Sequence, residues 1–492
     1  FLYFRYAHRY KHYWAQQNVV HEEFSLLLGP LRNVFTKACI RYIPVQFLDQ
    51  ELYKKYGRLF GTFVNGRPVL FVADPDLVKM IMVRDFHVVS GRNVTNFGDP
   101  VPDNMMTSVN LERWKPIRSV GSPAFSSAKV KKMNGIIAEC ARTTSEYLRK
   151  NKQDFDVKKF FANYALDVIS KCAFGVKLNP HSDVTNKFAN DAKAAFGRNL
   201  LVPLAAINLF PDFIKWLNMS IFNVEIFRCF KNFATSVMKE RDATGKRNDD
   251  FVQHMMDARG SPSSARDAEH TRRKVISETE AISQCVLIFL AGMDTISNVI
   301  SHTIYLLALH REEQRKLQEE VDECFKIDGE QPSADVISKL SYLHAVVSET
   351  LRLFPGAIRL DRSPTEDYVL GDTGITVPKG GTITIPIYSM HRDPLNFSNP
   401  DSFIPERFND ENISSIRPYT YLPFGAGPKS CMGVNFALLS VKLCILHSIR
   451  NFEFSRTQKT KVPLKCFRGI GLLHTEEFSV GIRERFPTAT ST

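Results

Sequence analysis

Residues 277–310 read SETEAISQCVLIFLAGMDTISNVISHTIYLLALH. Ser277 followed three residues later by Glu280 is a capping-box pattern, in which each side chain satisfies an N–H that the first helical turn leaves open. No proline follows until Pro332, so the pattern predicts a helix of about 30 residues, roughly 45 Å long. Its apolar residues run nearly all round, as in a helix buried on every side. At its middle, Ala291 and Thr295 are i and i+4 and share a face. Gly292 leaves backbone open beside them, and Asp294 adds an ionisable group in an apolar setting. The plain alternative is a threonine that bonds back to the carbonyl four residues earlier and only bends the helix.

The rest of the chain agrees with a helical body. From about residue 130 to 320 helical periodicity dominates, interrupted by a polar loop at 258–274. Strand signals are confined to "LFGTFVNGRPVLFVADPD", with a hairpin turn at Asn65-Gly66 before a helix opened by Asp74-Pro75-Asp76, and to "YVLGDTGITVPKGGTITIPIYS" after Pro355. The expected fold is mainly α with small antiparallel β-sheets, in one large domain. The apolar stretch 200–222, broken by Pro203 and Pro211, reads either as core helix ends or as a greasy patch at a membrane or over a pocket.

Hydrophobic residues are 44% and charged residues 24% of the 492, enough for a substantial core. Lys and Arg number 64 against 52 Asp and Glu, a net charge of +12, which suits an anionic membrane face or an acidic partner. No arginine-rich arm, zinc-finger spacing or RNP-like aromatic box is present, so no nucleic-acid partner is expected. The nine cysteines are scattered without a CxxC, which argues against a disulfide framework and for a reducing compartment. The chain begins "FLYFRYAHRYKHYW", aromatic and basic through Arg5, Arg9 and Lys11. That stretch reads as the cytoplasmic flank of a membrane anchor lying upstream, giving expected units of 1–22 (anchor remnant) and 23–492 (catalytic domain).

"FGAGPKSCMG", 424–433, sets one cysteine in a loop of three glycines and a proline before an apolar helical run. A single thiolate is wrong for zinc, which takes three or four protein ligands. A catalytic cysteine would need a histidine base that sequence does not locate. A heme iron takes one axial protein ligand, and Cys thiolate is a known choice. The helix after Cys431 would aim its positive end at the sulfur and keep it ionised, and Lys429 would neutralise a propionate. "SETLRLFP" places Glu349 and Arg352 at i and i+3 amid apolar residues, a buried pair that needs a further partner; "IPERF" offers Arg407. "ERWKPIRSV" sets the Trp114 indole beside the Arg118 guanidinium, a pair suited to a carboxylate or phosphate.

"WKPIR", "AGMDT", "ETLR" with "PERF", and "FGAGPKSCMG", in that order, resemble the cytochrome P-450 family of heme-thiolate monooxygenases. "ETLRLFP", "HRDP" and "GLL" are most similar to its microsomal branch of drug- and steroid-oxidising enzymes and thromboxane synthase. The resemblance implies heme b held by Cys431, with Phe424 stacked near the sulfur. It implies propionate contacts from Trp114, Arg118, Arg362, Arg92 and Lys429, and a buried scaffold triad of Glu349, Arg352 and Arg407. Thr295 and Asp294 would deliver protons beside Ala291. The pocket would be lined from 93–106, by Phe289, by Ala357 and Ile358, and by Ile470. Lys429 departs from the usual arginine or histidine, and the proline-rich hinge is reduced to Gly29-Pro30.

The implied activity inserts one oxygen atom of dioxygen into a lipophilic xenobiotic, steroid or fatty-acid-like molecule. Electrons would come from NADPH through a separate cytochrome P-450 reductase, with cytochrome b5 as a second donor, since no GxGxxG unit or flavin site is present. Lys115, Lys129, Lys131, Lys132 and Lys442 would form the basic docking face. The expected setting is a monomer on the cytoplasmic face of the endoplasmic reticulum membrane. Two other readings remain: a hydroperoxide or endoperoxide isomerase needing no reductase, and a non-enzymatic heme carrier or sensor.

Overall fold

A computed structural model describes residues 10–23, 44–64, 67–92, 98–150, 155–182, 224–260, 275–467 and 471–486. Its main elements begin with α1 (Val45–Tyr56) and the strands β1 (Leu59–Val64) and β2 (Arg67–Val72). Helices α2 (Leu111–Gly121) and α3 (Ser127–Lys150) follow, then the short strand β3 (Phe155–Asp156) and α4 (Val157–Phe174). Next are α5 (Val224–Thr244), α6 (Glu278–Leu309), α7 (Arg311–Asp328) and α8 (Ser341–Leu353). The chain ends with β4 (Leu360–Arg362), β5 (Thr382–Ile385), α9 (Val434–Asn451), β6 (Phe452–Ser455) and β7 (Ser479–Glu484).

The 32-residue α6 is the axis of the molecule, and both hydrogen bonds of the Ser277–Glu280 capping box are formed. It packs most extensively on α4 and also meets α5, α8 and α9. These helices share one continuous apolar cluster, to which α6 contributes from Ala281 to Ala308. Gly292 permits the close α4 contact: a Cβ there would sit 2.7 Å from Ile169 Cδ1. The backbone that seemed open beside Thr295 is therefore covered by a neighbouring helix. By length and composition α6 is also the one described helix apolar enough to cross a membrane, but its burial among other helices makes it a core element.

The sheets depart from the expectation in one respect. Four strands lie in the order β1-β2-β5-β4. β1–β2 and β4–β5 are antiparallel, whereas β2 and β5 run parallel, with Val69 beside Thr382 and Phe71 beside Thr384. More than 300 residues separate β2 from β5, so no hairpin dictates their sense and a long crossover supplies it. A three-stranded sheet β3-β7-β6 and a two-stranded pair (368–369 with 376–377) are antiparallel. The hairpin register closes on Val64 opposite Arg67; Asn65-Gly66 themselves, 200–222 and most of the polar loop lie outside the described residues.

The expected boundary at residue 22 also needs correction. Trp14 is fully buried, its indole N–H donating to Thr62 O at 2.9 Å, and the Tyr13 hydroxyl donates to Thr376 O at 2.7 Å. Gly61 N–H donates to Val20 O at 2.9 Å. Residues 10–22 thus pack on β1 as part of the body: an indole of this size is buried where one face of a sheet would otherwise stay wet. Residues 1–9 lie outside the described residues.

Candidate active site

The cysteine loop is a closed turn just before α9. Cys431 N–H donates to Phe424 O at 2.9 Å and Ser430 N–H to Gly427 O at 3.0 Å. Gly427 has φ +67°, and a Cβ there would lie 2.0 Å from Met82 O, so only glycine fits. Phe424 packs partly buried against the helical core. The Cys431 side chain is exposed while the loop packs closely around it; desolvation by that packing raises the thiol above its ordinary pKa, and Gly433 N–H and Arg118 oppose the rise. The Gly433 N–H and the Arg118 guanidinium favour the ionised sulfur, and a metal bond would deprotonate it outright.

On one side of this loop four cations converge. Arg118, on α2, donates to Ser430 O at 3.0 Å. Lys429 donates to Ser90 O and lies 5.4 Å from the centre of the buried Trp114 ring. Arg362 is 2% exposed at the end of β4, and its Nε has no partner. Burial, with repulsion from Arg92, lowers Arg362 to about 10. Burial, with repulsion from Arg92 and Arg362, lowers Lys429 to about 7. Arg92 is lowered by burial and Arg118. Among the described residues none of the four makes an ion pair within 4.0 Å; Asp361 is the acidic neighbour of Arg92 and Arg362, and its carboxylate is taken by Thr384. Buried cations of one sign and an orphaned guanidinium N–H are costly by themselves. They fit a group carrying two carboxylates.

Past the first turn of α6, Ala291 is the one exposed residue. Thr295 Oγ1 donates to Ala291 O at 2.6 Å, the back-bonded geometry of the plain alternative. Asp294 does not share the Thr295 face, since helical neighbours diverge. Its carboxylate lies 3.9 Å from His474 Nδ1, and burial raises its pKa while His474 and Lys158 oppose this.

The scaffold residues assemble. Glu349 and Arg352 are fully buried, joined by two 2.7 Å hydrogen bonds. Arg407 Nε reaches Glu349 Oε1 at 3.3 Å. Arg352 also donates to the carbonyls of His391, Pro400 and Ser402 at 2.6–3.0 Å. His391 carries this network to the cysteine loop: its Nε2 accepts Leu422 N–H at 2.9 Å, and burial beside Arg352 holds it neutral, with a pKa of about 3.

Several expected positions are corrected. Phe289 is 1% exposed and its ring packs on Phe174 and Phe233, facing helices rather than a pocket. Ile358 is 1% exposed against Tyr388 and Leu473. Ala357, bridged to Leu472, is only half-buried, so it and Ile358 do not share one surface. A methyl at the adjacent Gly356 would meet Thr295 Cγ2 at 3.9 Å, which puts this segment beside the threonine. Ile470 and residues 93–97 lie outside the described residues. Lys442 is 5% exposed, with burial pulling it down to about 8, and has no place on a docking face. Lys129 and Lys131 are committed to Asp249 and Asp335; Lys115 and Lys132 are exposed.

The cytochrome P450 family model matches residues 40–481. The chain belongs to the cytochrome P450 family. It is 34% identical to mouse (Mus musculus) cytochrome P450 3A11 over 97% of its own length and 93% of that protein. It is 36% identical to human (Homo sapiens) cytochrome P450 3A5, covering 87% and 85% of the two chains. Rat (Rattus norvegicus) cytochrome P450 3A18 is 35% identical, covering 85% and 84%. This P450 is therefore a heme b monooxygenase: it places one atom of dioxygen in a lipophilic small molecule and reduces the other to water, using electrons from NADPH passed on by a separate reductase. Neither the isomerase nor the carrier reading gains support from these relatives.

Sequence reasoning passed over three groups. Gln284 ties the 98–106 segment to α6, accepting Met106 N–H at 2.9 Å and donating to Asn104 O at 2.8 Å. His391 was visible only as part of "HRDP". His474 and Lys158, hundreds of residues apart, carry no local signal at all.

Proposed function

We propose that the Cys431 thiolate would hold the heme iron of this P450 and that Arg92, Arg118, Arg362, Lys429 and the Trp114 indole would hold the propionates. The observation that carries this reading is the cation cluster beside the cysteine loop, which makes no ion pair among the described residues. When bound, the heme supplies oxygen activation, and a thiolate ligand favours O–O cleavage. Phe424 O holds the Cys431 N–H and fixes the loop around the sulfur. Thr295 and Asp294 supply the two protons that accompany reduction of one oxygen atom to water, by way of the hydroxyl and an acid that burial brings toward neutrality. Glu349, Arg352 and Arg407, through His391, keep the cysteine loop in register with α8. Ala291 and the 356–357 segment border the substrate, a xenobiotic, steroid or fatty-acid-like molecule.

The remaining assignments rest on charge and exposure. The protein acts as a monomer on the cytoplasmic face of the endoplasmic reticulum membrane, with cytochrome b5 as an additional electron donor. The exposed Lys115 and Lys132 and the net charge of +12 suit acidic partners. Cys431→His is expected to abolish the thiolate-type spectrum of the reduced carbon monoxide complex; its retention removes the ligand assignment. In Thr295→Ala, NADPH consumption should continue while peroxide replaces product. An unchanged product-to-NADPH ratio removes Thr295 from proton delivery.

A further inference from the structure

Each turnover consumes a substrate C–H, one dioxygen, two electrons and two protons, and yields one hydroxylated product and one water. The protons must cross the protein to reach the middle of α6, a helix covered by α4, α5, α8 and α9. Asp294 marks where this cover is polar. Its side chain is 12% exposed and faces the gap between the start of α4 and residues 471–478.

Three elements meet in that gap. From the C-terminal segment, His474 Nδ1 lies 3.9 Å from Asp294 Oδ2. From α4, Lys158 Nζ donates to Thr475 O at 3.0 Å, and its charge is felt by both Asp294 and His474. From α6 itself, Asn298, one turn on from Asp294, favours the charged carboxylate, and His302 Nε2 meets Thr475 Oγ1 at 3.0 Å. Lys158 is also drawn by Asp156, Glu477 and Cys466. At the rim, Lys159 bridges Asp156 at 3.3 Å and Glu477 at 2.8 Å, with Lys159 and Glu477 each 64% exposed. A run of titratable groups thus leads from solvent to the residue beside Thr295.

We propose that Lys158 and His474 are the proton entry route of this enzyme, carrying protons from the Asp156–Glu477 rim to Asp294. The proposal rests on the reading of Asp294 and Thr295 above and deepens it. A proton enters on Lys158, passes to the imidazole and then to the carboxylate, and each group returns to its starting state as the next proton arrives. Protonated Asp294 is neutral and no longer drawn to the Lys158 ammonium, so it is released toward the Thr295 side.

The electrostatics favour such hand-over. Burial lowers Lys158 and His474 and raises Asp294, so three groups of widely spaced ordinary pKa are drawn together. His302 does not serve as a carrier: burial takes it down to about 3 and keeps it neutral. Glu476 is bound to Lys461 at 2.8 Å and points out of the path.

The test has a spectroscopic and a kinetic arm. In the diamagnetic, carbon monoxide-bound ferrous holoenzyme with labelled histidine, the His474 resonance is assigned by its loss in His474→Gln and titrated. Asp294→Asn should lower its midpoint by about one unit and Lys158→Met should raise it. A midpoint that neither variant moves overturns the proposal. Kinetically, His474→Gln and Lys158→Met should slow product formation about tenfold, enlarge the solvent deuterium isotope effect and divert NADPH to peroxide. Lys158→Arg separates charge from proton carriage, because a guanidinium keeps its proton. It should fold and dock like the wild type yet remain uncoupled. Wild-type coupling and isotope effect in Lys158→Arg overturn the route. Uncoupling in Asp294→Asn without uncoupling in His474→Gln or Lys158→Met overturns it too, while leaving the acid at the pocket standing.

Discussion

Two clusters of buried charge stand on either side of the cysteine loop, and they are built on opposite principles. Around Glu349, Arg352 and Arg407, nearly every donor and acceptor is used within the protein: two guanidinium bonds to the carboxylate, three to carbonyls, and the Ile404 N–H to Glu349 at 2.9 Å. Around Arg92, Arg118, Arg362 and Lys429, like charges face one another and the Arg362 Nε is orphaned. The first arrangement is complete and holds the fold. The second is incomplete as protein and becomes whole only with a dianionic partner. Charge that is satisfied internally marks scaffold, and charge left over marks a binding site.

The sharpest way to break this contrast is to remove one member from each side. Glu349→Ala leaves two buried guanidinium groups without a counter-ion, and should cost about 3–5 kcal/mol, with or without heme. Urea denaturation of both forms, or failure to recover folded protein, reads this out. Arg362→Leu should behave the other way. The heme-free chain should lose no stability, since one repelling cation is gone, while heme retention falls about ten- to a hundredfold, the range of one charge-assisted hydrogen bond. Heme transfer to an acceptor protein measures it, and equal loss in both forms would erase the distinction.

The link between the clusters has its own signature in pH. His391 is neutral in the fold with a pKa of about 3, whereas an unfolded histidine titrates near 6.5. The unfolded chain therefore binds the additional proton between those values, and stability declines as pH drops from about 6.5 toward 3. His391→Gln, which keeps an acceptor for the Leu422 N–H, should flatten that slope by one proton in acid-denaturation curves. The smallest effect is expected from Lys429→Arg. A second N–H toward the propionates adds about 0.5–1.5 kcal/mol, roughly two- to tenfold slower heme loss. Faster loss would show that Ser90 O, not a propionate, is the partner that Lys429 serves.

Much of the site was legible because it is written locally. The capping box, the i and i+3 pairing of Glu349 with Arg352, and a cysteine among glycines are short-range patterns, and short-range geometry follows from helix and turn stereochemistry. Phe289 and Ile358 were misplaced because a side chain's face depends on which neighbours arrive. Phe174 and Phe233 claimed the first, Tyr388 and Leu473 the second. Lys442 was misread for the same reason. Its charge suggested surface, yet α9 turns it inward, where its Nζ reaches Ile337 O at 3.4 Å.

By itself the amino-acid order determined that a long apolar helix with a polar step crosses a mainly helical body, and that one cysteine sits in a glycine-bound turn ahead of another helix. Those properties depend on residues within a few turns of each other. Only the tertiary structure decided that β2 and β5 run parallel, that Trp14 belongs to the body, that four cations meet without an ion pair among the described residues, and that Lys158 and His474 flank Asp294. These groups are separated by tens to hundreds of residues, and no local preference specifies their meeting; it is set by which apolar faces must be buried together.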